Sequence, residues 1–275
     1  MTDTDVEAIE IRLLLEAIHA RYGYDLRGYA QSSMRRRVLN ALRRSSLANL
    51  GELQHRLLHD RECFAEVLDQ LTVHVTEPFR DPESLRAFRV RVVPLLRTYP
   101  FLKVWHAGCA TGEEVYSSAI LLTEEGLYAR TQIHATDLSQ RALEQAKDGV
   151  YAASSLPLFA RNHEDSSGTS DLSTYLTTAY DHVAIRESLR QNIHFFHHDL
   201  VTDHVFGEMH VIFCKNVLIY FGRELRERVL RKLAESLCPG GFLCLGNAER
   251  LTRATPTEAA FKPFAAQHRI YRYEP

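Results

Sequence analysis

The chain has 275 residues, 45% of them apolar and 25% charged, with a formal net charge of −2. Those values are ordinary for a globular protein with room for one large domain or two smaller ones, and they argue against a general nucleic-acid binder. No apolar run approaches the roughly 20 residues of a membrane helix, and the acidic start MTDTDVEAIEIR lacks a signal peptide's basic-then-apolar order, so a cytoplasmic protein is expected.

Residues 1–80 read as helical. Ile9, Leu13, Ala17 and Ala20 recur near helical spacing. SSMRRRVLNALRRSSL predicts a second helix with Ser32 or Ser33 as its N-cap, and residues 50–59 and 62–71 carry similar patterns. The first strand signal comes at LTVHVTEPF. Beyond Pro78 the elements alternate: a helical stretch over 82–98, a strand over 102–107, a helix over 113–125, the strand QIHATD and a helix over 140–147. That order implies parallel pairing with right-handed crossovers, a doubly wound α/β sheet. Further strands are expected over 193–196, 210–214, 242–245 and 268–273, with a helix over 223–237 that stops at CPGG. RNHEDSSGTSDLST reads as a mobile surface loop, and YDHVAIRESLRQNIHFF behind it as short antiparallel strands added to the main sheet. The five cysteines form no C-x-x-C pair, and four sit among small or apolar neighbours, as buried thiols do.

The stretch VWHAGCATGEEVYSSAI joins a strand, a small-residue loop and a helix that opens on two glutamates. Ligands of doubly wound sheets sit at the carboxyl ends of the strands. Gly108, at such an end, permits a sharp turn and a close approach of ligand to backbone. The loop lacks the G-x-G-x-x-G of dinucleotide sites and the Gly-Lys-Ser/Thr of a Walker loop. Carboxylates stand where a phosphate would want positive potential. S-adenosylmethionine carries no phosphate; its ammonium, sulfonium and ribose hydroxyls all suit carboxylates. Glu114 is placed to face its methionine end, and Asp137, about 30 residues past the glycine turn, to accept from ribose hydroxyls. Plainer uses exist: Glu113 and Glu114 as first-turn carboxylates on the helix dipole, Asp137 as a cap of the next helix.

VTEPFRDPESLRAF, WHAGCATGEEVYS and FCKNVLIYF add a resemblance. They are similar to the patterns T-x-F-F-R-(D/N), W-S-A-(G/A)-C-S-T-G-E-E-P-Y-S and C-R-N-V-(L/M)-I-Y-F of the chemotaxis receptor glutamate methyltransferases, the CheR family, and the likeness spans nearly the whole chain. It implies a small all-helical N-terminal domain with a basic helix and linker, residues 1–80. Residues 81–275 would form a Rossmann-like methyltransferase domain, a mixed and mostly parallel sheet with a β-subdomain insert within about 170–192. Carried over by position, His74, Thr76, Arg80, Gly108, Glu114, Asp137, Lys215 and Asn216 would contact the cofactor. Asp199 and Leu200 would sit at the adenine, with Asp199 accepting from the exocyclic amine. His74 stands where many members have Asn, Pro78 replaces an aromatic, Val115 a proline, and Lys215 the usual Arg, whose planar fork lysine lacks.

The reaction so implied is displacement at the sulfonium methyl by a glutamate carboxylate, giving a methyl ester and S-adenosylhomocysteine. A glutamate of pKa about 4.3 is ionised at neutrality, so no general base is required. Arg80 and Tyr220 are the catalytic candidates, Arg80 orienting the carboxylate and Tyr220 donating a second hydrogen bond. The plainer readings are an Arg80 ion pair with Asp81 or Glu83, Tyr220 as a core aromatic and Asn216 as a turn residue. Arg35, Arg36, Arg37, Arg43 and Arg44 cluster on one helix, with Arg36 and Arg43 on one face, and form either a solvated face or, as the resemblance suggests, a dock for the acidic cytoplasmic helix bundle of chemoreceptors. His194, His197, His198 and Asp199 have no ligand-spaced partners elsewhere, so no metal is expected. A monomer without membrane insertion or nucleic-acid binding is the default. Two other functions stay open: a methyltransferase acting on RNA or a small molecule, and a catalytically silent cofactor-binding regulatory module.

Overall fold

The computed structural model describes residues 3–72 and 76–275. His74, and the centre of the strand expected at LTVHVTEPF, lie outside the described residues. Leu71 ends a helix, and residues 76–79 are not in a strand.

Four helices come first: α1 (Asp3–Tyr22), α2 (Gln31–Arg44), α3 (Leu50–His59) and α4 (Arg61–Leu71). They close on a core that includes Leu14, Ile18, Val38, Leu53, Leu57 and Leu71. Asn49 caps α3 by accepting from the Glu52 amide, and Asp60 caps α4 by accepting from the Glu62 and Cys63 amides. Neither Ser32 nor Ser33 caps α2. The helix starts after Ala30, whose amide donates to the Tyr220 carbonyl at 2.8 Å. A tertiary backbone contact therefore sets this helix start.

Next come α5 (Pro82–Arg91), α6 (Val93–Leu96), β1 (Leu102–Ala107), α7 (Glu113–Glu124), β2 (Thr131–Asp137) and α8 (Gln140–Asp148). They are followed by β3 (Val150–Ala152), α9 (Leu156–Asp165), β4 (Leu176–Ala179), β5 (His182–Ile185), β6 (Ile193–His197) and β7 (Met209–Cys214). The chain ends with α10 (Arg223–Glu235), β8 (Leu237–Leu245), α11 (Pro256–Ala260), β9 (Phe261–Ala265) and β10 (Ile270–Tyr273). The main sheet has seven strands in the order β6-β2-β1-β7-β8-β10-β9. The first five are parallel, and β10 runs antiparallel to both its neighbours. Apolar residues fill both faces. Val104, Ile120, Ile133 and Val211 belong to one cluster, and Trp105, Ile212, Leu230 and Leu243 to the other.

Five points of the sequence reading need correcting. The helix expected over 82–98 breaks into α5 and α6, because Pro94 lacks the amide and its ring crowds the preceding turn. CPGG is no turn: β8 runs through it as a bulged strand whose pairing to β7 slips between Met209 and Val211. β9 went unread because Pro263 argues against a strand, yet an edge position tolerates it. The polar run 161–174 is anchored: α9 extends to Asp165, and Asn162, His163 and Ser166 are buried. The Glu124 carboxylate anchors the run, lying 2.8 Å from His163 Nε2 and accepting from the Thr169 and Ser170 amides and from Arg89. Residues that look solvent-seeking in sequence here solvate an interior carboxylate. Strands β4 and β5 join β3 in a separate three-stranded sheet, order β3-β5-β4, rather than extending the main one.

Candidate active site

The strand order reverses beside β1, which lies between β2 and β7. A crevice at the carboxyl ends of the strands is the expected ligand site of such a sheet, and a cleft opens there. Three segments build it.

The loop after β1 turns at Gly108, with φ +77, where the Gly108 and Cys109 amides both donate to the Thr136 carbonyl. A Cβ at Gly108 would come 2.5 Å from Val217 Cγ2, so the glycine serves the approach of two loops as well as the turn. Ala110 also has positive φ, and its amide donates to Asp137 Oδ2 at 2.8 Å. The second Asp137 oxygen accepts from the Ser139 amide. Glu114, in the first turn of α7, lies 3.1 Å from Lys215 Nζ and 3.3 Å from His106 Nδ1. Burial would raise its pKa, but the Lys215 charge and the His106 contact prevail and hold it down at about 2.

The second segment is Glu77–Asp81, in which Phe79 and Asp81 both have positive φ on either side of Arg80. Such conformations in non-glycine residues persist only where their surroundings enforce them, and here they do. The Phe79 amide donates to Ser117 Oγ at 2.8 Å, Asn162 donates to the Pro78 carbonyl, Lys215 to the Arg80 carbonyl, and Asn247 to Asp81. The Arg80 side chain lines the cleft. Asp81 contacts Lys215 instead, at 3.6 Å, and among the described residues Arg80 has no ion-pair partner.

The third is the loop after β7. Asn216 has positive φ, and Glu249 accepts from the amides of Asn216, Ile219 and Gly246 at 2.8, 3.2 and 2.8 Å. Burial pushes the Glu249 carboxyl upward, and these amides offset it only in part. Across the cleft, Asp199 accepts from the Val201 amide and the Thr202 hydroxyl. Lys232 pins the same turn by donating to the Leu200 and Asp203 carbonyls.

Thr76, Arg80, Gly108, Glu114, Asp137, Asp199, Leu200, Lys215, Asn216 and Tyr220 thus line one cleft. The sequence reading missed Tyr29 and put Arg37 with the basic cluster, yet Arg37 is buried and both line the cleft from the N-terminal part of the chain. It also missed the supports His106 and Glu249. Arg37 is 5% exposed. Its Nη1 donates to the Leu71 carbonyl at 2.5 Å, and its guanidinium carbon sits 4.3 Å from the Tyr220 ring centroid. Arg35, Arg36, Arg43 and Arg44 are exposed on the other side of α2, Arg35 paired with Glu7 at 2.5 Å.

A doubly wound sheet with a charged cleft at its switch point is the arrangement of cofactor-binding α/β enzymes, and Glu114, Asp137 and Asp199 in its lining suit the cationic and hydroxyl groups of a cofactor. Asn216 Oδ1, His198 Nδ1 and Arg37 Nη2 are buried polar atoms of cleft residues without protein partners among the described residues, as a site for a polar ligand requires. The family model described as CheR methyltransferase, SAM binding domain, matches residues 74–267, and that of the CheR all-alpha domain matches 9–72. The chain belongs to the CheR methyltransferase family, and it is an S-adenosylmethionine-dependent methyltransferase. Cher3 of Pseudomonas putida is 46% identical, the match covering 99% of each chain. The chemotaxis protein methyltransferase of Listeria monocytogenes is 31% identical over 83% of this chain and 85% of its own. That of Vibrio parahaemolyticus is 29% identical over 93% and 94%.

Proposed function

We propose that this protein transfers the methyl group of S-adenosylmethionine to glutamate side chains in the cytoplasmic helix bundle of chemoreceptors, leaving methyl esters as the mark of sensory adaptation. The observation that carries the reading is Arg80. It is a cation without a carboxylate partner among the described residues, held by an enforced turn in the same cleft as Glu114 and Asp137. An acceptor that is itself a carboxylate supplies the missing charge.

Bound in the cleft, S-adenosylmethionine supplies an electrophilic methyl on a sulfonium. The protein's own residues bind, orient and exclude water. Glu114 receives the ammonium, Asp137 accepts from the ribose hydroxyls, and the pinned turn of Asp199 and Leu200 flanks the adenine. Thr76, Gly108 and Asn216 line the remaining wall. Arg80 and Tyr220 orient the acceptor carboxylate, which is already ionised, so no side chain has to remove a proton. Neutralisation of an anion by a cation is disfavoured by water, which solvates both. Alignment in a closed cleft is therefore the main source of acceleration.

Arg36, Arg43 and Arg44 are exposed and have no ion pair among the described residues, which leaves them free to steer an acidic helix bundle. Arg35 would exchange its Glu7 partner on docking. No helix among the described residues is long and apolar enough to cross a membrane. The reading places the enzyme in the cytoplasm, beside the receptor segment it modifies, with S-adenosylhomocysteine as the product.

The test uses methyl-labelled S-adenosylmethionine with cytoplasmic receptor fragments from the same cell, followed by mild base. Base-released labelled methanol that disappears when receptor glutamates are replaced by alanine is the expected result. Label that resists base, or that appears only with RNA or a small molecule, overturns the reading. Cofactor binding without any label points to the regulatory module.

A further inference from the structure

Lys215 follows β7 directly and its side chain is 3% exposed. Its Nζ meets Glu114 Oε2 at 3.1 Å, the Arg80 carbonyl at 3.0 Å and Asp81 Oδ2 at 3.6 Å. An ammonium has three protons; Glu114 and the Arg80 carbonyl are within hydrogen-bond reach, while Asp81 Oδ2 at 3.6 Å is a charge contact only. Burial pulls the Lys215 pKa down, but the Glu114 and Asp81 charges outweigh it, so the cation persists. Glu114 is committed as firmly: His106 Nδ1 lies 3.3 Å from its other oxygen, and His106 Nε2 lies 2.8 Å from Ser118 Oγ. Asp81 is fixed in turn by Asn247 at 2.6 Å.

We propose that Lys215 is a positioning residue that couples the two halves of the reaction. It fixes the Glu114 carboxylate in the orientation that receives the cofactor's ammonium. Through the Arg80 carbonyl it also holds the left-handed Phe79–Asp81 turn that aims Arg80 at the acceptor. Lysine suits this task because it concentrates three donors at one point, whereas arginine spreads its donors over a planar fork. The inference rests on the methyltransferase reading above.

The test compares wild type with Lys215→Met, measuring calorimetric affinity for S-adenosylhomocysteine and two analogues, one without the carboxylate and one without the α-amino group. Lys215→Met should weaken S-adenosylhomocysteine and the decarboxylated analogue by the same factor, about tenfold. It should leave the affinity for the deaminated analogue at the wild-type value, because Glu114 then has no ammonium to hold. A penalty that vanishes for the decarboxylated analogue would mean that Lys215 binds the carboxylate directly, and would overturn the proposal. An equal penalty for all three would mean general damage and overturn it too. At saturating cofactor kcat should also fall, by about tenfold or more, since Arg80 loses its anchor; an unchanged kcat refutes the link to Arg80. Should Lys215→Met not fold, Lys215→Gln, which keeps a donor but no charge, goes through the same comparison with the same outcomes. Wild-type protein that binds S-adenosylhomocysteine but methylates no receptor leaves the affinity arms intact and sinks the receptor reading instead.

Discussion

Gly108→Ala separates two contributions to the cofactor loop. The first is backbone strain: Gly108 has φ +77, a left-handed conformation that costs a residue with Cβ about 1–2 kcal/mol. The second is steric, since the new Cβ would stand 2.5 Å from Val217 Cγ2 and 3.7 Å from Val217 Cβ. Valine has stiff χ1 and cannot swing aside freely, so relief must come from loop displacement, an overpacking cost of about 1–3 kcal/mol. Together the variant should lose about 2–5 kcal/mol in urea unfolding. Cofactor affinity should fall as well, because Val217 and Gly108 both line the cleft.

Val217→Ala is the control that makes this reasoning refutable. It removes the atom that the new Cβ strikes but leaves φ unchanged. The double variant should therefore regain the steric part, about half of the loss, relative to Val217→Ala alone. Full recovery would show that the left-handed backbone costs nothing here. No recovery would show that Val217 is not the obstacle. A Gly108→Ala variant as stable as wild type would refute both.

Two further predictions concern charge. The Glu114 pKa, lowered from 4.5 to about 2, corresponds to stability on the order of 3 kcal/mol that is present above pH 4.5 and lost as pH falls toward 2. Wild type should therefore lose on the order of 1 kcal/mol of its margin over Glu114→Gln between pH 7 and about pH 3.5; a margin that stays constant over that range refutes the assignment. Arg43→Glu should raise KM for receptor fragments several-fold at low ionic strength, with the difference fading as salt is added and S-adenosylhomocysteine affinity unchanged; a salt-independent effect would remove Arg43 from the docking face.

The elements from β1 to α8 were legible because each carries its own periodicity and lies next to its partner in space. Legibility failed where tertiary contacts override local signals. Glu124 draws the polar run after Asn162 inward, and a sheet edge accommodates Pro263. In the site, Gly108, Glu114 and Asp137 were readable from local chemistry, since a turn and two strand-end acids announce themselves by position. Most other cleft residues came only through the resemblance. Arg37 had a signal that was passed over: Met34, Arg37, Val38 and Ala41 follow i, i+3, i+4, i+7 spacing, which places that arginine on the apolar face of α2, apart from Arg36 and Arg43. Glu249 had none. It sits in a short loop, and only the fold brings the amides of Asn216 and Ile219 to its carboxylate.

The joint between the N-terminal helices and the cleft gives that buried arginine its importance. The Ala30 amide donates to the Tyr220 carbonyl and the Gly222 amide to the Gly28 carbonyl, both at 2.8 Å, so Tyr29 and Phe221 pair as a short antiparallel bridge. α2 begins at the next residue, Gln31, and Arg37 then folds back over the Tyr220 ring. The helix that carries Arg36, Arg43 and Arg44 on its exposed side therefore starts from the same backbone ladder that fixes Tyr220. On the proposed function, a receptor helix docked on those arginines would have its position set relative to Tyr220 by hydrogen-bonded backbone rather than by a linker. Rate gains from orientation need reacting atoms placed to within a fraction of an ångström, and a docking helix anchored on the Tyr220 loop would be one way for the proposed reaction to reach that placement with an acceptor on another protein.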